Sequence, residues 1–337
     1  MSPSDAASHP PSDGVVGVII AAYRASGTIG AAVASALAEP QVGQLIVVDD
    51  ASDDGTIAAA GAADDGSGRL TILRQALNQG PASARNRALA VLTMPWMCVL
   101  DADDYLLPGR TARLLALASG HDMIADALIR TTPGKAPSQV EASHDVQPID
   151  LARFVEGNVS RPGGERDELG FVKPLIRTAF LRQHGLAYDE RLRLGEDYAL
   201  YIQALAHGAR MGLSGPQGYV AVTRADSLSG RHSEEDLLRL RDCDDALAAI
   251  RPLSETERRA LARRRISVDQ RLQWRLMINA VKARDPAAVA ATFTSWPVAR
   301  FLAIRLTEQL WLRTFGRLMR APDRAALPLR SEPEARS

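Results

Sequence analysis

Three carboxylates stand within four residues, at Asp101, Asp103 and Asp104. They follow directly on Trp96 to Leu100, a mostly apolar run that predicts a short buried strand. Like charges this close repel, and burying them without a counter-charge is costly. A hard divalent cation relieves that cost, because Mg²⁺ and similar ions take oxygen ligands and often share them with a substrate's phosphates. The spacing therefore points to a metal–diphosphate site. The plainer reading is an exposed acidic turn, with Asp104 capping the helix around Pro108. A second acidic pair, Glu196-Asp197, opens an apolar helical stretch that reaches about His207. Acidic residues in a first helical turn are favoured by the macrodipole. The chemical reading is that one of the two projects into a crevice as a general base.

The elements that must position these groups are legible as strands alternating with helices. Val15 to Ala22 is a near-continuous apolar run, as a strand buried on both faces requires, and it ends at Tyr23-Arg24. Ser26 or Thr28 can cap a helix to about Ala38, which stops at Pro40. Leu45 to Val48 is a second buried strand ending in Asp49-Asp50, with turn chemistry after it and a helix over 57–63. Leu70 to Arg74 is a third strand, and Ala82 to Leu92 a helix with Pro81 near its first turn. This alternation predicts an α/β parallel sheet wound in right-handed crossovers. In such a sheet the carboxyl ends of successive strands share one edge, so Tyr23, Asp49, Asp50 and Asp101 to Asp104 should converge on one crevice. No Gly-x-Gly-x-x-Gly follows the first strand and no Walker motif occurs, so a metal must bear most of any phosphate charge.

Further along, 109–118 should be helical, 121–130 a strand and 131–148 a surface loop. Residues 151–155 and 177–184 should be short helices, with a strand over 171–175. Two polar loops, 161–170 and 224–232, could lie over a site; the second carries Arg224, Arg231 and His232, and His232 is a candidate metal ligand. Residues 211–222 should supply one or two edge strands. From Ser233 the pattern is helical: about 233–249, 255–283 and 286–320, with breaks at Pro286 and Pro297. These patterns predict a loose tail over 1–14, a catalytic domain over 15–232, a helical region over 233–325 and a tail over 326–337.

Composition narrows the classes. The chain has 337 residues, 46% hydrophobic and 24% charged, which is ordinary globular usage and argues against extensive disorder. Cys98 and Cys243 give neither a disulfide framework nor metal-finger spacing, so a reducing, cytoplasmic setting fits. The start lacks the basic and apolar regions of a signal peptide, and no run of 18 apolar residues predicts a spanning helix. Net charge is zero but unevenly spread. Residues 1–250 hold 22 Lys and Arg against 32 Asp and Glu, and residues 251–337 hold 18 against 8. The stretch from Trp296 mixes Phe301, Leu302, Ile304, Leu306, Leu310 and Trp311 with Arg300, Arg305 and Arg313. Such a helix can lie on an anionic membrane surface, or it can pack and leave a basic face in water. Nucleic acid fits less well, since the acidic N-terminal part would repel phosphate.

The motifs together resemble glycosyltransferase family 2, the inverting enzymes of GT-A fold. Val-Ile-Ile-Ala-Ala-Tyr (18–23) is similar to the family's opening strand, with Ala21 where Pro is usual. Leu-Ile-Val-Val-Asp-Asp-Ala-Ser-Asp-Asp-Gly-Thr (45–56) resembles the second strand and turn, and Asn-Gln-Gly-Pro-Ala-Ser-Ala-Arg-Asn (78–86) the Asn-x-Gly…Ala-Arg-Asn segment. Leu-Asp-Ala-Asp-Asp (100–104) looks like the Asp-x-Asp motif, and Gly-Glu-Asp-Tyr (195–198) like the Glu-Asp motif. Gly-Phe-Val-Lys-Pro (170–174) and the stretch 188–197 look most like bacterial exopolysaccharide glycosyltransferases of the succinoglycan type.

The resemblance implies a mostly parallel, Rossmann-like sheet with helices on both faces. It implies a nucleotide-sugar donor, a UDP-sugar, with Mn²⁺ or Mg²⁺, and a saccharide or lipid-linked oligosaccharide acceptor. Ala21 and Tyr23 would line the nucleotide, Asp50 would accept from the base, and Arg85 would neighbour it. Asp103 and Asp104 would sit at ribose and metal with Asp101 nearby, and Asp197, beside Glu196, would be the base. Processive members carry Gln-x-x-Arg-Trp before membrane spans; here Gln270 to Trp274 has Gln273 in the Arg position. Two other functions are weighed: a sugar-1-phosphate nucleotidylyltransferase, which the glycine-poor 23–27 turn disfavours, and a non-catalytic nucleotide-binding subunit attached to the membrane surface.

Overall fold

The computed structural model describes residues 14–137, 144–159, 169–223 and 233–314. The first half alternates strand and helix: β1 (Val16–Ala22), α1 (Ile29–Leu37), β2 (Val42–Asp49), α2 (Thr56–Ala62), β3 (Leu70–Arg74), α3 (Pro81–Val91) and β4 (Trp96–Val99). β5 (Tyr105–Leu106), α4 (Arg110–Leu117), β6 (Met123–Asp126), β7 (Ile129–Thr131), β8 (Val146–Ile149) and α5 (Leu151–Gly157) follow. Then come β9 (Leu175–Arg177), α6 (Thr178–Gln183), α7 (Glu196–Ala206), β10 (Met211–Ser214) and β11 (Tyr219–Val222). Four helices close the described chain: α8 (Glu234–Ile250), α9 (Glu255–Ala283), α10 (Pro286–Ala291) and α11 (Trp296–Thr314).

The large sheet has eight strands in the order β3-β2-β1-β4-β9-β6-β10-β8, and β5-β11-β7 form a small second sheet. β1 pairs in parallel with β2 and β4, and β2 with β3. Side chains of β1 alternate between the sheet's two faces, as the two-residue period of a strand requires. Val16, Val18, Ile20 and Ala22 share one buried cluster with Ile29, Val33 and Leu37 of α1 and Leu114 of α4. Ile19 belongs to the other, with Ala84 and Ala88 of α3, Phe154 of α5 and Leu200 of α7. Gly17 permits the close approach of α3: a Cβ there would lie 2.1 Å from Leu92 Cδ1.

Several expectations need correction. β9 runs antiparallel between β4 and β6, which interrupts the winding within the mostly parallel sheet that was expected. It covers Leu175–Arg177 rather than 171–175, because Pro174 cannot donate to the ladder. Residues 121–130 form two strands in different sheets, β6 and β7. Residues 211–222 do not form edge strands: β10 lies between β6 and β8, and β11 between β5 and β7. The loop expected over 131–148 contains the start of β8, an edge strand, where Pro148 is tolerated. The helical break expected at Pro297 is present: α10 ends at Ala291, and α11 restarts at Trp296 with Pro297 in its first turn.

The chain divides into two compact units, Met1–Leu272 and Gln273–Ser337. Leu240, Cys243 and Leu247 of α8 and Ala260 of α9 join the main core of the first unit. In the second unit Met277, Val298 and Leu302 form a small core against Trp274, Val289 and Phe301.

Candidate functional site

The carboxyl ends of β1, β2 and β4 lie side by side because these strands are parallel neighbours. At the end of β1, Ala21 is half-buried and the Tyr23 ring is 46% exposed, with the Arg24 guanidinium 5.3 Å from its centroid. Arg24 and Ala51, the residues just past β1 and β2, both adopt positive φ (50° and 61°). Such strain in residues other than glycine costs about 1–3 kcal/mol and gathers at functional sites. Buried Asp50 ties the end of β2 to the 78–80 loop. Its Oδ1 accepts from Gln75 Nε2 (2.7 Å) and the Gln79 amide (2.8 Å), and its Oδ2 from the Gly80 amide (2.8 Å). The Asn-x-Gly segment is thus fastened by the carboxylate before it.

A lattice of five charges joins elements far apart in sequence. Arg85 projects from α3, Asp101 follows β4, Lys173 precedes β9, and Glu196 and Asp197 stand in the first turn of α7. Gly195 caps that helix at φ +88°, a conformation that side-chain-bearing residues rarely adopt, and a Cβ there would also lie 2.8 Å from Leu240 Cδ2. Arg85 Nη1 donates to Asp197 Oδ1 (3.0 Å) and to Glu196 Oε1, and its Nη2 donates to Asp101 Oδ1 (3.0 Å). Lys173 Nζ bridges Asp101 Oδ2 (3.0 Å) and Asp197 Oδ2 (2.6 Å). All but the half-buried Asp101 are buried.

Burial works against charge on Arg85, yet Asp197, Glu196 and Asp101 outweigh it and hold the guanidinium protonated. Lys173 is raised in the same way by Asp101 and Asp197 against its burial. Burial alone would raise the Asp101 carboxyl, but Lys173 and Arg85 hold it below the usual range. Glu196 is raised by burial, only partly relieved by Arg85, with Asp197 pressing the same way.

Asp104 is placed differently. The plainer expectation, that it caps the next helix, fails: Gly109 occupies the N-cap of α4. Instead Asp104 Oδ2 accepts from the Tyr219 hydroxyl and Oδ1 from the Val222 amide, both at 2.8 Å. Burial and the nearby Asp101 charge push its carboxyl up to about 7. These partners are neutral, and each oxygen keeps a further acceptor position. Asp103 is half-buried beside it. Among the described residues no group of three or more His, Cys, Asp or Glu could hold a metal by itself. Asp103 and Asp104 suit an oxygen-seeking ion that takes its other ligands from phosphate and water. Asp101, engaged by Arg85 and Lys173, suits it less. His232, Arg224 and Arg231 lie outside the described residues, as does most of the loop expected at 161–170.

Two buried networks brace the site. Arg110 and Asp126 are wholly buried and paired at 2.7 Å. Arg110 Nη2 also donates to the Lys173 carbonyl (2.5 Å), and Asp126 Oδ2 accepts from the amides of Gln217 (3.0 Å) and Tyr219 (3.3 Å). Behind Asp197, the Tyr198 hydroxyl donates to Asp244 Oδ1 (2.8 Å), and Arg264 Nε donates to Asp244 Oδ2 (3.0 Å).

The structure thus brings Arg85, Asp101, Glu196 and Asp197 together, with Asp103 and Asp104 on the same turn. Lys173, Tyr219, Arg110 and Asp126 are added to them. One signal for Lys173 was in the sequence: the chain has only three lysines, Lys135, Lys173 and Lys282, and Lys173 alone stands in an apolar stretch. Tyr219 had no such signal, because its role depends on which sheet β11 joins.

Comparison with known proteins follows the same lines. Residues 17–180 match the family model described as Glycosyl transferase family 2. The chain is 47% identical over 266 residues to the succinoglycan biosynthesis protein ExoU of Rhizobium meliloti (strain 1021), covering 78% of each chain. It is 31% identical over 300 residues to ExoO of the same organism, covering 87% of this chain and 85% of that one. Among solved structures, the 1–349 portion of S. aureus TarS in complex with UDP-GlcNAc superposes with a TM-score of 0.60 at 17% identity, covering 82% of this chain and 90% of that one. Mannosyltransferase PcManGT from Pyrobaculum calidifontis, in complex with GDP-Man and Mn²⁺, gives a TM-score of 0.55 at 15% identity over 88% and 87% of the two chains. The structural likenesses speak for a GT-A-like fold.

Proposed function

Given that the chain belongs to glycosyltransferase family 2, a relationship that its 47% identity to a biosynthetic relative establishes, we propose that it is an inverting enzyme of exopolysaccharide synthesis. It moves a sugar from a nucleotide-diphosphate donor, a UDP-sugar, to a hydroxyl of a saccharide acceptor carried on a lipid. The observation that carries this reading is the lattice joining Asp197 to Asp101 through Arg85 and Lys173. It sets a candidate base beside the turn where a donor diphosphate would sit.

The roles follow from position. The exposed Tyr23 ring and Ala21 line the nucleotide base, and Asp50 accepts from its imide N–H. Asp103 meets the ribose. Asp197 takes the proton of the attacking hydroxyl through the acceptor position each oxygen retains, with Glu196 holding Arg85 beside it. One displacement at the anomeric carbon inverts its configuration. Asp103 and Asp104 would hold Mn²⁺ or Mg²⁺ together with the donor's diphosphate, and the ion would supply Lewis-acid neutralisation of the departing charge.

Thermal melting with a panel of nucleoside diphosphates tests the donor site. One diphosphate should raise the melting temperature only when Mn²⁺ or Mg²⁺ is present. At a hundredfold excess over Kd the gain is about 2.7 kcal/mol, or roughly 4 °C for a chain of this size. Asp103→Ala should remove the shift. Unchanged melting with every nucleotide and metal would favour a non-catalytic assembly subunit instead.

The acceptor's lipid is supported by the second unit. No helix among the described residues is long and apolar enough to cross a membrane. α11 nonetheless exposes Trp296 and Ile304 on the side opposite buried Val298 and Leu302. Residues 251–337 carry 18 Lys and Arg against 8 Asp and Glu. An apolar face with tryptophan in a basic region suits the headgroup layer of an anionic membrane, which would place the enzyme peripherally at the cytoplasmic face. The protein should sediment with phosphatidylglycerol vesicles, less so with phosphatidylcholine vesicles. Trp296→Asp with Ile304→Asp should release it. Equal recovery in the supernatant with both lipids would refute the contact.

A further inference from the structure

Lys173 belongs to neither the donor contacts nor the metal ligands assigned above, yet it is the one ammonium buried at the centre of the lattice. Its Nζ touches a carboxylate oxygen of Asp101 and another of Asp197. Its backbone is held from two sides. The Lys173 carbonyl accepts from Arg110, whose charge is fixed by Asp126, and the preceding Val172 carbonyl accepts from the Tyr201 hydroxyl of α7 at 3.2 Å. Pro174 follows and restricts the backbone of Lys173 to an extended form. A long, entropically costly side chain is thereby fixed at one point between two elements that share no hydrogen-bond ladder.

We infer that Lys173 is a positioning residue for the transfer reaction: it couples the donor turn to the base by holding the Asp101 and Asp197 carboxylates at a set separation and orientation. This rests on the reading of Asp197 as the base. Without the ammonium, Asp101, Glu196 and Asp197 surround Arg85 alone. One guanidinium offers its fork to three carboxylates, and like charges at this range drive the unsatisfied ones apart. The base then leaves its line toward the anomeric carbon, and a displacement near 1 Å costs about 10²-fold in rate. Donor affinity, set at the strand ends and the Asp103-Asp104 turn, stays.

The test compares Lys173→Met, Lys173→Arg, Asp197→Asn and the double variant Lys173→Met/Asp197→Asn. Nucleoside diphosphate release is followed from UDP-glucose, UDP-GlcNAc and GDP-mannose with Mn²⁺, alongside melting of each variant with UDP or GDP. Lys173→Met should lower kcat about 10²-fold with KM and the diphosphate-dependent melting shift kept. Lys173→Arg, which retains the charge in a bulkier fork, should recover part of the rate. The double variant should be no slower than Asp197→Asn alone, because the lysine acts through that carboxylate. A parental kcat in Lys173→Met, or losses that multiply in the double variant, overturns the inference. Should Lys173→Met melt below the assay temperature, Lys173→Arg decides: reduced kcat at unchanged KM supports the role, and parental kcat refutes it. Parental turnover in Asp197→Asn is a separate result, and it removes the base assignment itself.

Discussion

Asp197→Asn is expected to lower kcat by about 10²–10⁴-fold, the range over which a positioned general base contributes, while nucleotide-dependent thermal stabilisation remains. The amide has the shape of the carboxylate but cannot take a proton. Its oxygen still accepts from Arg85 or Lys173, which meet Asp197 at 3.0 Å and 2.6 Å. The lattice loses one negative charge, so Glu196, already raised by burial, gains a larger share of Arg85. The donor site proposed above lies at the ends of β1, β2 and β4, so donor binding should change little. Single-turnover rates with donor in excess separate the two effects. Wild-type turnover in this variant would rule Asp197 out, and Glu196→Gln would then be the variant to measure.

Arg110→Met should cause the largest loss of stability. Arg110 and Asp126 are both 0% exposed, so removing the cation leaves a carboxylate buried without its counter-charge. Breaking such a pair costs about 3–5 kcal/mol, which corresponds to a melting temperature roughly 4–7 °C lower. The Lys173 carbonyl also loses a donor and the Cys98 sulfur a contact at 3.3 Å. Arg110→Met/Asp126→Asn should recover much of the loss, since the orphaned charge is removed with its partner. A double variant no more stable than the single would show that the pair acts through shape rather than charge. Because Asp126 fixes the amides of Gln217 and Tyr219, the single variant should also loosen the hydroxyl that holds Asp104.

The repeating strands and helices of the N-terminal half were legible because each element states its own burial. β1 and β2 are apolar runs buried on both faces, and their polar ends follow from chain direction alone. The Asp101 to Asp104 turn and the Glu196-Asp197 pair were legible for a similar reason: several carboxylates in a few residues have few inexpensive environments. Less was legible past residue 120, where short segments must choose a sheet. Residues 121–130 contain no strong breaker, yet β6 and β7 part into separate sheets. Local composition carries no information about which neighbour a four-residue strand will meet.

By itself the sequence determined the α/β class, the edge of the sheet that carries the polar residues, the acidic turn and the acidic helix start. These are local properties of burial period, turn chemistry and charge density. Only the tertiary structure decided that Lys173 and Arg85 stand between the two acidic groups, that Tyr219 rather than a helix N-terminus receives Asp104, and that β9 enters the sheet antiparallel. Each is a contact across 16 or more residues of chain, such as Arg85 with Asp101 or Tyr219 with Asp104. Their formation depends on strand order, which the whole core selects by burying two faces of one sheet at once.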